Sequence, residues 1–354
     1  MVIKVLIIDD SALVRRAIMD TLALDPEIEV VGVANDPLVA MEKIPRLQPD
    51  VITLDMEMPR MDGLTYLRQL HKERSPLAVV VISSLTQNGS EMALAAMDAG
   101  ASEVLAKPDG STSVGALAPR LSFHIKAAYA AKKRHREVLS RPVNGSEILT
   151  RQLSNTSRAG AADRRLVVIG ASTGGIEALR QILPALPSGL PPILVVQHLS
   201  AFFSKAVADR LNALADYEIR EAVNDEPILP GQCLIAPGNY HLLVTRHTSG
   251  YRTRLVQSPA VHHCRPAVDL LFRSAAEVAG KHTLGVLLTG MGSDGALGMQ
   301  AIRRAGGVNL VEHEDSCVIY GMPRAAMQLD VVDKAVLLDD IPRAIVDVLA
   351  TLPG

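Results

Sequence analysis

The first part of the chain carries acidic side chains directly after short aliphatic runs. These are Asp9-Asp10 and Asp55, and Ser83 and Lys107 follow two further runs. Three carboxylates that meet at one place repel each other and need a hard, oxygen-preferring cation, for which Mg²⁺ is suited. A hydroxyl and a lysine beside them favour a phosphoryl group. The set therefore predicts a phosphoryl-accepting pocket in which Asp55 is the nucleophile.

Each of these residues also has a purely structural explanation. An aspartate after a strand often caps the next helix, and a lysine before a proline, as in Lys107-Pro108, is common in a loop. Caps do not explain why four strand ends all carry such groups. Because the carboxyl ends of parallel strands share one sheet edge, where open α/β sheets bind ligands, we favour the functional explanation.

A second chemical motif is Gly170-Ala171-Ser172-Thr173-Gly174-Gly175, which follows an aliphatic run and opens a predicted helix. It fits the G-x-S-x-G pattern, in which a sharp strand-to-helix turn exposes a serine hydroxyl. Backbone N–H groups at the start of the helix can then stabilise an oxyanion. The alternatives are a serine N-cap or a phosphate-binding glycine loop, although the motif lacks both G-x-G-x-x-G and the Walker lysine.

A serine nucleophile needs a base and an orienting acid. His198 ends the run Ile193–Gln197, and Asp294 lies after another run, within Thr289–Gly295. Three strand ends would bring Ser172, His198 and Asp294 to one sheet edge, as in an acyl-transfer triad. Taken singly, His198 could be a hydrogen-bonded polar residue and Asp294 a turn or cap residue. The chain order Ser, His, Asp differs from the Ser, Asp, His of α/β-hydrolases and argues against that fold.

Other reactive groups are weaker candidates. The segment His262-His263-Cys264 suggests a metal site, because His262 and Cys264 would share one face of a strand. Its spacing fits no common zinc pattern, however, and no carboxylate ligands are expected nearby. Arg265 either orients an anionic substrate or caps a helix. Met291, Met299 and Met322 are expected to be packing residues.

The elements that position these groups alternate between strand and helix signals in both halves of the chain. Continuous aliphatic strands separated by helices indicate parallel sheets covered on both faces. The sequence predicts an α/β protein with two doubly wound parallel-sheet domains. The first is flavodoxin-like, (βα)5, and the second is Rossmann-like. Shorter runs at 233–236 and 241–245 suggest β additions to the second domain.

The two halves are separated by a basic segment. From Lys126 to Arg165 there are 10 basic and only 3 acidic residues, so this segment carries +7 while the whole chain carries −2. We predict a first domain at 1–124, a basic flexible linker at 125–163 and a catalytic domain at 164–354. The start of the linker segment, Lys126–Arg136, is expected to be the tail of a helix. The linker is either a solvated hinge, which we favour, or a site for an acidic partner or RNA.

Composition excludes several classes of protein. With 354 residues, 48% apolar and 21% charged, the chain is not wholly disordered. No apolar run approaches the roughly 18 residues of a membrane span, and the first residues lack a signal-peptide pattern. Three scattered cysteines argue against disulfides and zinc, and they favour a cytoplasmic protein. The near-neutral charge and 3% aromatic content argue against a nucleic-acid partner.

The acidic pocket resembles that of two-component receiver domains over about residues 1–124. The motifs that carry the resemblance are Asp9-Asp10, Leu54–Gly63, Ser83-Ser84 and Lys107-Pro108. It implies that a histidine kinase phosphorylates Asp55, that Ser83 is the switch hydroxyl and that Lys107 contacts the phosphoryl group. The residues expected at the Mg²⁺ site are Asp9, Asp10, Asp55 and the backbone carbonyl of Glu57. The chain departs from the family at Val104, where a switching aromatic ring is usual.

The C-terminal half resembles the chemotaxis protein-glutamate methylesterases, the CheB family. The matching motifs are Ile169–Gly175, Gln197-His198, Ile235–Gly238, Leu288–Gly295 and Tyr320–Pro323. The resemblance implies that Ser172 is the nucleophile, His198 the base and Asp294 its orienting acid. It places Thr173 and Met291 near the oxyanion site. The esterase chemistry is expected to need no cofactor.

The resemblance also implies a function. Family members demethylate glutamate methyl esters on the cytoplasmic helices of chemoreceptors, and many deamidate receptor glutamines. We therefore expect a phosphorylation-activated, cytoplasmic esterase whose unphosphorylated receiver blocks the catalytic edge, and which meets the membrane only through receptors. The alternatives are a non-enzymatic response regulator with a binding output, and a hydrolase that acts on another ester or amide.

Overall fold

The computed structural model describes residues 2–73, 75–83, 87–107, 114–139, 164–199, 201, 203–248 and 250–354. The chain divides into two compact units, Met1–Arg141 and Pro142–Gly354. Within the described ranges, no helix combines the length and the apolar character that a membrane crossing requires.

The described residues of the N-terminal unit form five strands and five helices in alternation. The strands are β1 (Ile3–Ile8), β2 (Ile28–Ala34), β3 (Val51–Asp55), β4 (Ala78–Ser83) and β5 (Glu103–Ala106). The helices are α1 (Ala12–Leu22), α2 (Pro37–Leu47), α3 (Gly63–Lys72), α4 (Gln87–Asp98) and α5 (Val114–Leu139). The strands form one parallel sheet in the order β2-β1-β3-β4-β5, which confirms the flavodoxin-like prediction.

Local sequence signals explain these elements. Ser11, Asp36 and Asp62 cap α1, α2 and α3, because each side chain accepts an N–H from the third residue after it. Strands β3 and β4 are buried along their whole length. Their aliphatic side chains alternate between two apolar clusters, one that contains Leu54 and one that contains Val80. The sheet is therefore covered on both faces.

The C-terminal unit has ten strands and six α-helices among its described residues. The strands are β6 (Leu166–Ala171), β7 (Ile193–Gln197), β8 (Glu218–Glu221), β9 (Pro227–Ile228), β10 (Gln232–Ile235), β11 (His241–His247), β12 (Gly250–Val256), β13 (Thr283–Leu287), β14 (Val308–Glu312) and β15 (Lys334–Val336). The helices are α6 (Gly175–Ile182), α7 (Ser204–Asn212), α8 (Val268–Ala279), α9 (Ala296–Arg304), α10 (Met322–Gln328) and α11 (Ile341–Thr351).

Seven of these strands form a parallel sheet in the order β15-β14-β13-β6-β7-β10-β8. The chain builds outward from β6 in one direction through β7, then returns to β13 and builds outward in the other direction. The boundary between β6 and β13 is thus a topological switch point, where open α/β sheets leave a crevice for ligands. The doubly wound prediction is confirmed for this unit too.

The predicted β additions need one correction. The run 233–236 forms most of β10, which pairs in parallel with β7 and β8 inside the main sheet. Cys233, Leu234 and Ile235 are all fully buried, which is typical of a strand covered on both faces. The run 241–245 does belong to an addition, the antiparallel sheet β11-β12-β9, in which β11 and β12 contain both buried and exposed residues.

Part of the predicted linker is helical. Residues 125–139 belong to α5, which ends at Leu139. Residues 140–163 lie outside the described ranges, so the basic flexible linker and its bounds stay a prediction.

Candidate active site

Three strand ends at the switch point bring a serine, a histidine and an aspartate into one hydrogen-bonded chain. Ser172 follows β6, His198 follows β7 and Asp294 lies in the loop after β13. The Oγ of Ser172 is 3.0 Å from Nδ1 of His198, and Nε2 of His198 is 2.8 Å from Oδ2 of Asp294. Ser172 and Asp294 are buried, and only 7% of the His198 side chain is exposed.

The partners fix the imidazole tautomer. A carboxylate can only accept, so Nε2 of His198 carries the proton that bonds Asp294. The neutral ring then offers Nδ1 as an acceptor to the Ser172 hydroxyl. In trypsin-like triads Nε2 faces the serine and Nδ1 bonds the aspartate, so the two nitrogens exchange roles here while the chemistry is the same. Ser172 is thus placed to lose its proton to His198.

Charges around His198 favour its protonated form. Burial disfavours the imidazolium, but the nearby Cys264 sulfur and the Asp294 carboxylate outweigh it and raise the pKa of His198. For Asp294, burial favours the neutral acid, but the hydrogen bond from His198 and two backbone amides lower its pKa. Asp294 is therefore ionised, as a residue that stabilises an imidazolium must be.

Asp294 is held by the start of a helix on another part of the chain. Helix α8 has Ala267 at its N-cap position, which offers no side-chain cap. The N–H groups of Val268 and Asp269 instead donate to the two carboxylate oxygens of Asp294, at 2.8 and 2.9 Å. These bonds satisfy two otherwise unpaired amides and favour the negative charge of Asp294 at the helix N-terminus.

Asp269 in turn accepts hydrogen bonds from the start of α9. Its Oδ1 accepts the N–H groups of Gly295, at 3.0 Å, and Gly298, at 2.6 Å. Its Oδ2 is 3.1 Å from Nε2 of His262. Two buried aspartates thus cap each other's helices, and sequence reasoning assigned no role to Asp269. The signal was the glycine at the N-cap position of α9, Gly295, because it has no side chain to cap the helix and a buried helix start then needs an acceptor from elsewhere.

The turn that carries Ser172 is fixed by backbone contacts. Gly174 has a φ of 80° at the start of α6, a conformation that glycine adopts without strain. The backbone N–H of Ser172 donates to the Thr289 carbonyl, and its carbonyl accepts from Nε2 of Gln197. A Cβ on Gly290 would lie 2.7 Å from Cβ of Ser172, so this glycine lets the two loops approach.

The two residues expected near the oxyanion lie on the loops that meet there. Thr173 directly follows Ser172, is 4% exposed, and accepts a hydrogen bond from Thr289 at its backbone carbonyl. Met291 is half-buried in the loop that leads to Asp294. Their oxyanion role stays a prediction.

The segment around His262 differs from the sequence expectation. Val261 and Cys264 are bridged across a tight turn in which His262 and His263 both have positive φ, so the segment is not a strand. Carboxylates do lie nearby, because ligand atoms of His262, Asp269 and Asp294 come within 4.8 Å of one another. Helix amides already occupy both oxygens of Asp294 and one of Asp269, which leaves little for a metal.

Three further candidates have structural contacts. Arg265 donates to Oδ1 of Asn239 and to the Ser258 carbonyl, so it ties two loops together rather than capping a helix. Met299 and Met322 are fully buried in the core of the unit, as expected of packing residues.

The N-terminal unit carries a separate site at the carboxyl edge of its sheet. Ligand oxygens of Asp9, Asp10 and Asp55 lie within 4.8 Å of one another. Nζ of Lys107 is 2.7 Å from Oδ2 of Asp55 and 3.4 Å from Oδ2 of Asp9. Ser83 is fully buried, and its hydroxyl has no hydrogen-bond partner within the described ranges.

This donor set fits a hard divalent cation. Burial raises the pKa of both Asp9 and Asp55, and the ion pairs with Lys107 only partly offset it. One lysine therefore does not balance three carboxylates, and oxygen ligands of this kind are those that Mg²⁺ prefers. Glu57 donates its backbone N–H to Asp55 at 3.3 Å, next to the expected carbonyl ligand. Val104 is half-buried against the sheet core.

The two units thus define a class of protein: a receiver-type phosphoacceptor domain joined to a domain with a serine hydrolase constellation. Two family models match, the response regulator receiver domain at residues 5–115 and CheB methylesterase at residues 167–345. The chain belongs to the CheB family of receiver-containing methylesterases. This membership decides against a non-enzymatic regulator.

Relatives match over nearly the whole length. A protein-glutamate methylesterase/protein-glutamine glutaminase of Syntrophus aciditrophicus is 46% identical over 97% of this chain and 98% of its own. One from Syntrophotalea carbinolica is 45% identical over 98% of both chains. The crystal structure of the CheB methylesterase catalytic domain of Thermotoga maritima covers 52% of this chain and 97% of its own. It is 36% identical, with a TM-score of 0.51.

Proposed function

We propose that the C-terminal unit hydrolyses glutamate methyl esters on the cytoplasmic helices of chemoreceptors, with Ser172, His198 and Asp294 as the catalytic triad. The observation that carries the proposal is the hydrogen-bonded chain from Ser172 through His198 to Asp294 at the sheet's switch point. The names of the relatives supply the substrate class. The protein acts in the cytoplasm and reaches the membrane only through its receptors.

The chemistry follows from the two ring nitrogens. Nδ1 of His198 takes the Ser172 proton as Oγ attacks the ester carbonyl, while Asp294 stabilises the imidazolium. Backbone donors near Thr173 and Met291 bind the oxyanion. The imidazolium then protonates the departing methoxide, and methanol leaves. Water, deprotonated by the same Nδ1, hydrolyses the glutamyl ester on Ser172.

The same steps deamidate glutamine. The γ-carboxamide carbon takes the place of the ester carbon, and His198 protonates the departing nitrogen so that ammonia leaves. The product is a glutamate side chain in both reactions. Both activities are therefore expected to depend on the same residues, Ser172 and His198.

The N-terminal unit regulates this activity. A chemotaxis histidine kinase donates a phosphoryl group to Asp55, whose carboxylate lies 2.7 Å from Nζ of Lys107. Ser83 is the last residue of the adjacent strand β4. Asp9, Asp10 and Asp55, with the Glu57 carbonyl, would hold Mg²⁺, which supplies charge neutralisation for phosphoryl oxygens. Phosphorylation shifts the receiver to a second conformation that raises the activity of the catalytic unit.

The chemistry is tested with the full chain and variants at the triad. His198→Gln should lower kcat by about 10⁶ and Asp294→Asn by about 10⁴, by analogy with protease triads. An Asp209→Ala variant is a matched control, because Asp209 is an exposed helical acid that pairs with the exposed Lys205. Normal turnover by His198→Gln would refute the triad.

The regulation is tested at Asp55. Asp55→Ala should keep the basal rate of methanol release and lose its increase with a small phosphodonor such as acetyl phosphate. Asp20→Ala is the control, because Asp20 is an exposed acid on α1 that pairs with the exposed Arg16, and its loss should leave the increase intact. An Asp55→Ala protein that still responds to acetyl phosphate would contradict the proposal.

A further inference from the structure

A thiol lies against the catalytic imidazole. Sγ of Cys264 is 3.4 Å from Nδ1 of His198, the nitrogen that also faces Ser172. Cys264 is partly exposed at the end of the tight turn from Val261. The other two cysteines are buried, Cys233 at 0% and Cys317 at 3% exposure. Of the three cysteines, Cys264 is thus the one that is partly exposed to solvent and also contacts a base.

Two nucleophiles share one acceptor. With Nε2–H bonded to Asp294, the neutral imidazole has a single lone pair, at Nδ1. It can take the proton of Ser172 or that of Cys264, but not both. A cysteine within hydrogen-bond reach of an oriented histidine is the arrangement that generates a reactive thiolate. The rise in the pKa of His198 that Cys264 contributes to agrees with this contact.

We propose that Cys264 is a modification site at which hydroperoxides reversibly switch off the esterase. The site is formed by Cys264, His198 and Ser172, and its co-substrate is a small hydroperoxide such as hydrogen peroxide. This activity goes beyond the proposed hydrolysis and needs neither the receptor substrate nor the receiver.

The reaction balances as a two-electron oxidation. Nδ1 of His198 accepts the thiol proton, and the sulfur attacks the outer peroxide oxygen. An S–O bond forms and the O–O bond breaks. The departing hydroxide takes a proton from the imidazolium and leaves as water. Cys264 becomes a sulfenic acid, and the peroxide is reduced.

The product blocks the triad by its position. The new oxygen extends from the sulfur towards Nδ1 of His198, where it competes with the Ser172 hydroxyl for the one lone pair. A thiol reductant reverses the change: it attacks the sulfenyl sulfur with loss of water, and a second thiol releases free Cys264 as the reductant forms a disulfide.

The test uses the full-length protein, hydrogen peroxide and dimedone, which traps sulfenic acids. Peptide mass spectrometry should find the trapped adduct on Cys264, with Cys233 and Cys317 as buried internal controls. Without dimedone, esterase activity should fall in proportion to the oxidised fraction, and dithiothreitol should restore it. Adducts on the buried cysteines alone, or full oxidation of Cys264 without loss of activity, would overturn the proposal.

Variants distinguish oxidation of Cys264 from oxidation of other residues. Treated Cys264→Ala and Cys264→Ser proteins should each retain their own starting activity, and equal inactivation in both would show that another residue is the target. His198→Gln should slow trapping at Cys264 by about tenfold, because it removes the base. An unchanged trapping rate would refute the shared base. Trapping is read by mass, so it stays informative if the proposed esterase substrate is wrong.

Discussion

Removal of the Asp269 carboxylate should weaken both the C-terminal unit and its active site. Asp269 is 1% exposed and accepts two N–H groups from the start of α9, those of Gly295 and Gly298. Alanine would leave both amides buried without a partner, at a cost of about 1–3 kcal/mol each. The loss of a negative charge at the helix N-terminus adds about 0.3–1 kcal/mol.

These contributions predict that Asp269→Ala lowers the free energy of unfolding by about 3 kcal/mol or more. For a unit of this size that corresponds to a fall in Tm of roughly 6–12 °C. Asp269→Asn keeps an acceptor for the two amides and loses the charge and the carboxylate contact of Oδ2 with the half-exposed His262, so about 1 kcal/mol is expected. Because α9 begins at Ala296, two residues after Asp294, the alanine variant should also misplace that carboxylate and lower kcat by about 10².

Urea unfolding and methanol release measure the two effects on the same proteins. Asp347→Ala is the matched control, since Asp347 is a helical acid with 70% of its side chain exposed. It should change stability by less than about 0.5 kcal/mol. The reasoning is refuted if Asp269→Ala is no less stable than Asp269→Asn, or if the alanine variant unfolds earlier but keeps full kcat.

Three further predictions follow from the two sites. Gly290→Ala should lower kcat by about 10², because its Cβ would meet Ser172, while Gly354→Ala meets nothing and should have no effect. The raised pKa of His198 should put the acid limb of kcat/KM above pH 6.5, and Cys264→Ala should move it down. In stability, the His198 contribution is present below pH 6.5 and lost as pH rises through the raised pKa. Millimolar Mg²⁺ should raise the Tm of the receiver more at pH 7 than at pH 3.5, because the Asp9 and Asp55 carboxylates are charged and repel each other at pH 7. Asp9→Asn should reduce this difference between the two pH values.

The strand ends could be predicted from the sequence because continuous aliphatic runs mark buried parallel strands. Once β6, β7 and β13 were placed in one parallel sheet, Ser172, His198 and Asp294 had to share an edge. The same rule placed Asp9, Asp55 and the lysine at 107 together in the first unit. The prediction that β10 belongs to a peripheral addition was wrong, because a short aliphatic run does not distinguish a strand of the main sheet from a peripheral strand.

The contacts that the sequence did not predict are made through space between distant loops. Asp269 and Asp294 are 25 residues apart in the chain, and each caps the helix next to the other. No periodic pattern in the sequence indicates these contacts. Cys264 contacts His198 from the end of the tight turn at 261–264. A cysteine next to two histidines suggested metal binding. The actual partner of Cys264 is His198, and this contact depends on the turn.

The central claim is tested most directly by methanol release from methylated chemoreceptor membranes, with and without acetyl phosphate. The wild-type chain should release methanol, and faster when acetyl phosphate is present. Ser172→Ala should lower the rate by about 10⁶, whereas Ser258→Ala, which alters an exposed serine, should match the wild type. A Ser172→Ala protein that demethylates receptors at the wild-type rate would contradict the account.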